Sequence, residues 1–185
     1  MTATPAHAAR PTPEGAHIRL AMLSQPRYLS SARAAASAFA RQAGFDEHAS
    51  GHVALAVDEA LCNVLKHGYD RREDQPIWMD LSPLIEHQAV VGIRIVIEDE
   101  AKQAPLETIR SRALEEIRPG GLGVHIMREV MDSVEFEHRE GNVGMRLVMI
   151  RRLPSAGSRV KYGANQNGSA AAAQPGQEGH KAAST

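Results

Sequence analysis

Apolar side chains recur along the first half of the chain with spacings that predict one strand and two helices. Residues 16–23 alternate enough apolar positions for an opening strand, and the Ala-rich residues 29–43 favour a helix that ends at Gly44. Residues 51–68 carry apolar side chains at intervals of three and four: Val53, Val57, Ala60, Leu61 and Val64. This spacing predicts a long buried helix.

The second half of the chain adds strands and one further amphipathic helix. Strands are predicted at residues 77–84, 90–98, 133–138 and 144–151, and helices at residues 113–117 and 122–131. The resulting order of elements predicts an α+β fold, a two-layer sandwich with helices packed on one face of a mixed, mostly antiparallel sheet.

Both ends of the chain lack the spaced large apolar residues that a core requires. Residues 1–16 are rich in Pro, Ala and Thr, and residues 154–185 are dominated by Ser, Gly, Asn, Gln and Ala. Such segments bury too little apolar surface to offset the entropy of ordering. We therefore expect a disordered leader at 1–16, one domain at 17–153 and a disordered tail at 154–185.

Composition narrows the classes of protein to which the chain can belong. Its 185 residues include 21 basic and 22 acidic side chains, with no basic stripe interleaved with aromatics, so direct nucleic acid binding has no support. No apolar run approaches the ~20 residues that span a bilayer, and the first residues do not resemble a secretory signal. We expect a cytoplasmic protein in which the lone Cys62 fills a small space in the core.

A polar stripe runs along the predicted long helix. Glu59, Asn63 and His67 follow one another every four residues and therefore share one side of it. An Asn carbonyl oxygen can ligate Mg²⁺, and a carboxylate one turn away can accept a proton during phosphoryl transfer. The alternative is a solvated helix face without a ligand.

Two further segments carry groups that suit a nucleotide. The run RPGGLGVHIMREVMD places Gly120, Gly121 and Gly123 before a helix, where free backbone amides favour phosphate, although glycines also serve simple turns. Asp99 ends the strand VVGIRIVIE, where a carboxylate can accept a hydrogen bond from an exocyclic amine or can form a turn.

Together these segments resemble the motifs of the GHKL ATPases. VDEALCNVLKHGYD resembles the N-box, IRIVIEDEA the adenine-contacting box and RPGGLGVHIMREVMD the G-box. The spacing E-A-x-x-N-x-x-x-H-G-Y and the short lid ending in GGLGVHIM are similar to the anti-sigma factor serine kinases. The resemblance covers residues 18–151.

The resemblance implies a role for each residue that matches a motif. Asn63 would ligate Mg²⁺, Glu59 would act as general base, and Asp99 would read the adenine amino group, with His67 and Ala101 in the same pocket. Residues 102–118 would form the ATP lid. The residues implied to close over the phosphates are Gly120, Gly121, Leu122, Gly123, Val124 and His125.

The same resemblance implies a cytoplasmic, homodimeric serine protein kinase that uses ATP and Mg²⁺. Its partners would be a small antagonist protein of the STAS type, which it phosphorylates, and a sigma factor, which it sequesters. Membrane and nucleic acid have no part in this activity.

Departures from the family pattern keep a second hypothesis open, a nucleotide-gated protein-binding module without phosphotransfer. Ala101 stands where relatives usually have Gly, the lid runs Ala104, Pro105, Leu106, and Gly144 stands where a small hydroxyl residue is common. Two other relatives fit less well. A sensor histidine kinase would need a helix pair carrying the phosphoacceptor His, and a gyrase-like ATPase would need a transducer domain.

Overall fold

A computed structural model describes residues 15–107, 109 and 122–154. Contacts divide the chain into Met1–Leu153 and Pro154–Thr185, and of the second unit only Pro154 is among the described residues. The predictions that fall outside the described part of the chain are most of the leader, the helix at 113–117, most of the lid, Gly120, Gly121 and almost all of the tail.

Five strands and three α-helices make up the described domain. The strands are β1 (Ile18–Leu23), β2 (Pro76–Glu86), β3 (Ala89–Asp99), β4 (Ser133–His138) and β5 (Met145–Arg152). The helices are α1 (Leu29–Gln42), α2 (Glu47–Asn63) and α3 (Leu122–Val130), with a 3₁₀ turn at Pro26–Tyr28 and a π-helical turn at Val64–Gly68.

The strands form one sheet in the order β1-β2-β3-β5-β4, and every neighbouring pair is antiparallel. Because β3 and β5 are adjacent, the end of β3 at Asp99 lies beside the start of β5 at Met145. The α+β sandwich predicted from the sequence is confirmed, and the sheet is wholly antiparallel among the described strands.

The core lies between one sheet face and the helices. On α1 the buried residues Ala32, Ala36 and Ala40 form a stripe of small side chains, which lets this helix approach its neighbours closely. The sheet contributes β-branched and long apolar side chains that include Ile77, Met79, Ile93, Ile95, Ile97 and Met149. This packing holds α2 and α3 over the part of the sheet where β3 ends.

Helix α2 begins at Glu47, four residues before the predicted start. Asp46 caps it, because its Oδ1 accepts a hydrogen bond of 2.7 Å from the backbone N–H of Ala49. The first turn is polar, so the apolar spacing did not reveal it.

None of the described helices is long and apolar enough to cross a membrane.

Candidate functional site

The polar stripe of α2 lies on the last turns of the helix and on the π-helical turn that follows. Glu59 and Asn63 are half-buried, and His67, within the π turn, is exposed. The backbone N–H of Tyr69 reaches the carbonyl of Val64 at 2.9 Å and so closes this wide turn. A π turn inside a helix is frequent at functional sites, and here it turns the end of the stripe toward β3.

Gly123, at the start of α3, packs directly against this stripe. A Cβ atom added there would lie 2.7 Å from Glu59 Oε2 and 3.3 Å from Asn63 Nδ2. Only a residue without a side chain therefore fits without moving the Glu59 carboxylate. The N-box and G-box residues, 60 positions apart in the sequence, meet at this contact.

Asp99 is almost completely buried, with 4% of its surface exposed, at the end of β3. Its Oδ1 accepts two backbone hydrogen bonds, from Ala101 N–H at 2.8 Å and from Met145 N–H at 3.0 Å. No donor among the described residues reaches its Oδ2. Burial raises the pKa of this carboxyl, while the two amides and the guanidinium of Arg139 act in the opposite direction.

Ala101 is turned away from the ligand side of this carboxylate. It is 3% exposed, and its Cβ faces Gly68 of the π turn, where an added Cβ would lie only 3.1 Å away. Ala101 is not among the residues that line the cleft beside Asp99. Its methyl group therefore packs against the helix end and does not line the cleft.

Tyr69 fastens the π turn to the sheet. Its buried hydroxyl donates to the carbonyl of Pro76 at 2.5 Å and accepts from the backbone N–H of Glu100 at 2.6 Å. Burial is the main cause of a raised pKa for this phenol, so the group stays neutral and able to donate. The ends of α2, β2 and β3 are held together by this one side chain.

A cleft of about 420 Å³ opens between these elements. Its polar lining includes Asp99, Asn63, His67 and Lys102, and its apolar lining includes Ala60, Val64, Ile97, Val124, Phe136, Met145 and Leu147. Such a cleft, mostly apolar with a few directed polar groups, is the usual form of a small-molecule site.

The structure brings some of the predicted site residues together and leaves others apart. Asn63, His67, Asp99, Gly123 and Val124 line the cleft. Glu59 lies at its rim against Gly123. Two further predicted residues, Leu122 and His125, are exposed on α3 and do not line the cleft. Gly120 and Gly121 lie outside the described residues.

Met145 belongs to this cleft and was missed by the sequence reasoning. Met145, not Gly144, lines the cleft at the start of β5, whereas Lys102 lines it from the predicted lid. The alternation of Met145, Leu147 and Met149 along β5 was the available signal, because residues two apart share a sheet face.

The expectation that Cys62 fills a small space in the core is wrong. Cys62 is half-buried and does not belong to the core.

The described residues contain no group of three or more His, Cys, Asp or Glu side chains that could hold a metal ion. Mg²⁺ does not need such a group, because it is commonly held by one or two protein oxygens together with phosphate oxygens and water. The half-buried Asn63, on the cleft wall beside Gly123, fits this limited donor set.

Comparison with known proteins agrees with this geometry. The family model described as a histidine kinase-like ATPase domain matches residues 22–151. Serine-protein kinase RsbW of Listeria monocytogenes is 30% identical over 132 residues, which cover 67% of this chain and 81% of the relative. The anti-sigma F factor of Clostridium novyi is 31% identical over 147 residues, which cover 76% of this chain and 97% of the relative.

A further relative and one solved structure complete the comparison. RsbW of Oceanobacillus iheyensis is 26% identical over 133 residues, covering 68% of this chain and 81% of the relative. The histidine kinase domain of a blue-light activated kinase from Erythrobacter litoralis aligns with a TM-score of 0.42 at 19% identity, over 68% of this chain and 61% of that one. On the family model and the two relatives at 30% identity or more, the chain belongs to the histidine kinase-like ATPase domain family, among the anti-sigma factor serine kinases.

Proposed function

We propose that this protein is an ATP-dependent serine kinase that phosphorylates a small antagonist protein of the STAS type and binds a sigma factor. The observation that carries the proposal is the arrangement of the cleft. A buried carboxylate with one oxygen open to a ligand lies at one end, and Glu59, Asn63 and Gly123 meet at the other. The relatives that are named serine-protein kinase and anti-sigma F factor support the same activity.

Adenine is the base that the cleft suits best. Both backbone amides near Asp99 donate to Oδ1, so Oδ2 keeps its capacity to accept. The 6-amino group of adenine is a donor, and the apolar side chains of Ile97, Met145 and Leu147 offer surfaces on which a purine packs. ATP would therefore lie with its base against Asp99 and its phosphates toward Gly123.

Glu59 is the base that we propose for the transfer step. Its carboxylate takes the proton of the substrate serine as the serine Oγ forms a bond to the γ-phosphorus. The bond from that phosphorus to the β,γ-bridging oxygen breaks, and ADP leaves with the electron pair. Asn63 would hold Mg²⁺, which neutralises charge on the phosphates when it is bound. Gly120, Gly121 and the amides that follow them would contact the phosphates.

The remaining parts of the proposal rest on the family. The protein would work in the cytoplasm as a homodimer, with an antagonist and a sigma factor as alternative partners. β1 is an edge strand in the described sheet, so the dimer contact would be sought there and on α1. Light scattering during size-exclusion chromatography tests this part separately, and a monomeric mass would contradict it.

The decisive experiment measures binding and transfer side by side. Isothermal titration of Mg-ATP is combined with transfer of labelled γ-phosphate to STAS-type proteins encoded in the same genome. Binding together with labelling of one serine supports the kinase. Binding without transfer to any of them favours the nucleotide-gated module, and an absence of binding at millimolar ATP contradicts both.

A further inference from the structure

Arg139 contacts Asp99 from the side opposite the cleft. It lies just after β4, and its Nη1 donates to the backbone carbonyl of Asp99. Its guanidinium carbon stands 5.6 Å from the centre of the Trp78 ring. Trp78 and Ile77 point to opposite faces of the sheet because they are adjacent along β2, and Ile77 belongs to the core. Arg139 therefore does not line the cleft.

Gly144 creates the space in which Arg139 lies. Its φ is +91°, and an added Cβ would overlap the carbonyl oxygen of Asp99 and lie 2.9 Å from Arg139 Nη1. Any side chain here would displace either the guanidinium or the end of β3. The glycine at this position is thus explained by the contact between Arg139 and Asp99.

The turn that carries Arg139 is itself fastened to the segment after Asp99. Gln103 Nε2 donates to the carbonyl of Arg139 at 3.0 Å, and the backbone N–H of Gly144 donates to the carbonyl of Ala101 at 2.7 Å. The backbone on both sides of the guanidinium is therefore fixed relative to the chain that carries the carboxylate. A side chain held in this way has little freedom to leave its position.

We propose that Arg139 is a positioning residue for base recognition, which holds the end of β3 and thereby the Asp99 carboxylate in place without touching the nucleotide. The proposal rests on the proposed function, because it assumes that Asp99 binds the amino group of adenine. It adds a specificity residue in the turn between β4 and β5, outside the three sequence motifs.

The electrostatic part of the proposal has a definite sign. Burial raises the pKa of Asp99, and the positive charge of Arg139 opposes that rise. Removal of the charge would raise this pKa further, so protonation would compete with adenine binding at a higher pH. The other titratable groups near the carboxylate are Glu100, Tyr69, Lys102 and His67.

The test compares Arg139→Gln and Arg139→Lys with Arg27→Gln. Arg27 is a matched control because it also stands over an aromatic ring, 5.4 Å from the centre of Tyr28, but is remote from the cleft. Affinities for Mg-ATP and Mg-ITP are measured by titration between about pH 6 and pH 8. ITP has an oxygen in place of the 6-amino group, so it lacks the donor from which the Asp99 carboxylate is proposed to accept a hydrogen bond.

Arg139→Gln should weaken ATP binding several-fold near pH 6 and less near pH 8, because loss of the positive charge raises the pKa of Asp99 and protonation then competes with adenine at the lower pH. ITP binding should change less than twofold, so selectivity for adenine falls. Arg139→Lys should restore most of the pH profile, and Arg27→Gln should match the wild type. In the Asp99→Asn background, Arg139→Gln should add no further loss, because the two residues act through one interaction.

The outcomes separate failure of this inference from failure of the proposed function. Equal weakening of ATP and ITP by Arg139→Gln, or a full additional loss in the Asp99→Asn background, would mean that Arg139 only supports the fold. If the wild type and Asp99→Asn bind ATP equally well, the proposed base site itself is contradicted.

Discussion

The two ends of the cleft are built in different ways. At the base end, Asp99 is buried, two backbone amides fix its Oδ1, and Tyr69 joins the surrounding chain ends. At the phosphate end, Glu59 and Asn63 are half-buried and meet the start of α3 through Gly123. In the proposed function the chain itself completes the groups that would recognise the base, whereas the groups that would react are only half-buried.

The buried carboxyl of Asp99 has a cost in stability that depends on pH. The pKa of Asp99 is raised by burial, so its contribution to folding is most favourable when the carboxyl is protonated and is lost as the pH rises through the folded-state pKa. Above that pKa the carboxylate is a buried charge, which the amino group of adenine would satisfy in the proposed function. Preorganised recognition groups commonly lower stability in this way.

Glu59→Gln is the change expected to have the largest effect, and it acts on the phosphate end alone. Gln keeps the shape of Glu but cannot take the serine proton, so phosphate transfer should fall about 10²- to 10⁴-fold. Binding of Mg-ATP should stay within about twofold, because the base end is intact. Transfer is followed with labelled ATP, and binding is followed by calorimetry. Undiminished transfer would contradict the role of Glu59.

Asp99→Asn makes the converse test at the base end. Asn keeps an acceptor for Ala101 N–H and Met145 N–H but presents an amide instead of a charged oxygen. A charge-assisted hydrogen bond contributes roughly 1.5–3 kcal/mol, so ATP affinity should fall about 10- to 100-fold. Retention of wild-type affinity would show that the base is read elsewhere.

Asp99→Asn should also raise the stability of the fold, although it lowers the affinity for ATP, and this gain should depend on pH. Without nucleotide, Asp99→Asn should unfold at a higher temperature than the wild type at neutral pH, because it removes the cost of a buried charge. The difference should shrink as the pH falls and the wild-type carboxyl becomes protonated. Thermal unfolding is measured at several pH values, and a difference that grows toward acid pH would contradict the stated direction.

The sequence predicted the fold and the polar stripe of α2 more completely than it predicted the surroundings of Asp99. Apolar periodicity and the motifs were local signals, and they placed the strands, the three helices and the stripe from Glu59 to His67 close to where the structure has them. The base end depends on long-range register. The pairing of β3 with β5 and the position of Arg139 behind Asp99 follow from sheet order, which local patterns do not encode.

Ala101 and Gly144 show why residue identity alone was misleading. At position 101 an alanine in place of the expected glycine kept the binding-module hypothesis open, yet its methyl group points toward Gly68. At position 144 the glycine suggested a missing hydroxyl, whereas the neighbouring Met145 is the residue that lines the cleft. At position 101 the direction of the Cα–Cβ bond decides the outcome, and at position 144 the next residue along the chain forms the cleft wall.

Gly123→Ala tests the contact that joins α3 to the polar stripe. The new Cβ would lie 2.7 Å from Glu59 Oε2, so the carboxylate must move, and transfer should fall about tenfold. Stability should not fall, because Ala favours helix over Gly by roughly 0.5–1 kcal/mol. Gly51→Ala is the matched control, since Gly51 lies in α2 with no atom within 4 Å of an added Cβ. Equal transfer by both variants would mean that the Glu59 position is not critical.

Ala101→Gly is expected to have the smallest effect on function, because it changes packing without changing the groups that are proposed to recognise the base. The methyl group packs against Gly68 and does not line the cleft, so ATP affinity should stay within about twofold of the wild type. Its loss should lower the free energy of unfolding by about 1 kcal/mol, which shifts the melting temperature by about 2 to 4 °C. Calorimetric titration and thermal unfolding measure the two quantities on the same preparation. A gain in ATP affinity of tenfold or more would instead mean that Ala101 crowds the base, and that the recognition end of the cleft is degenerate in this protein.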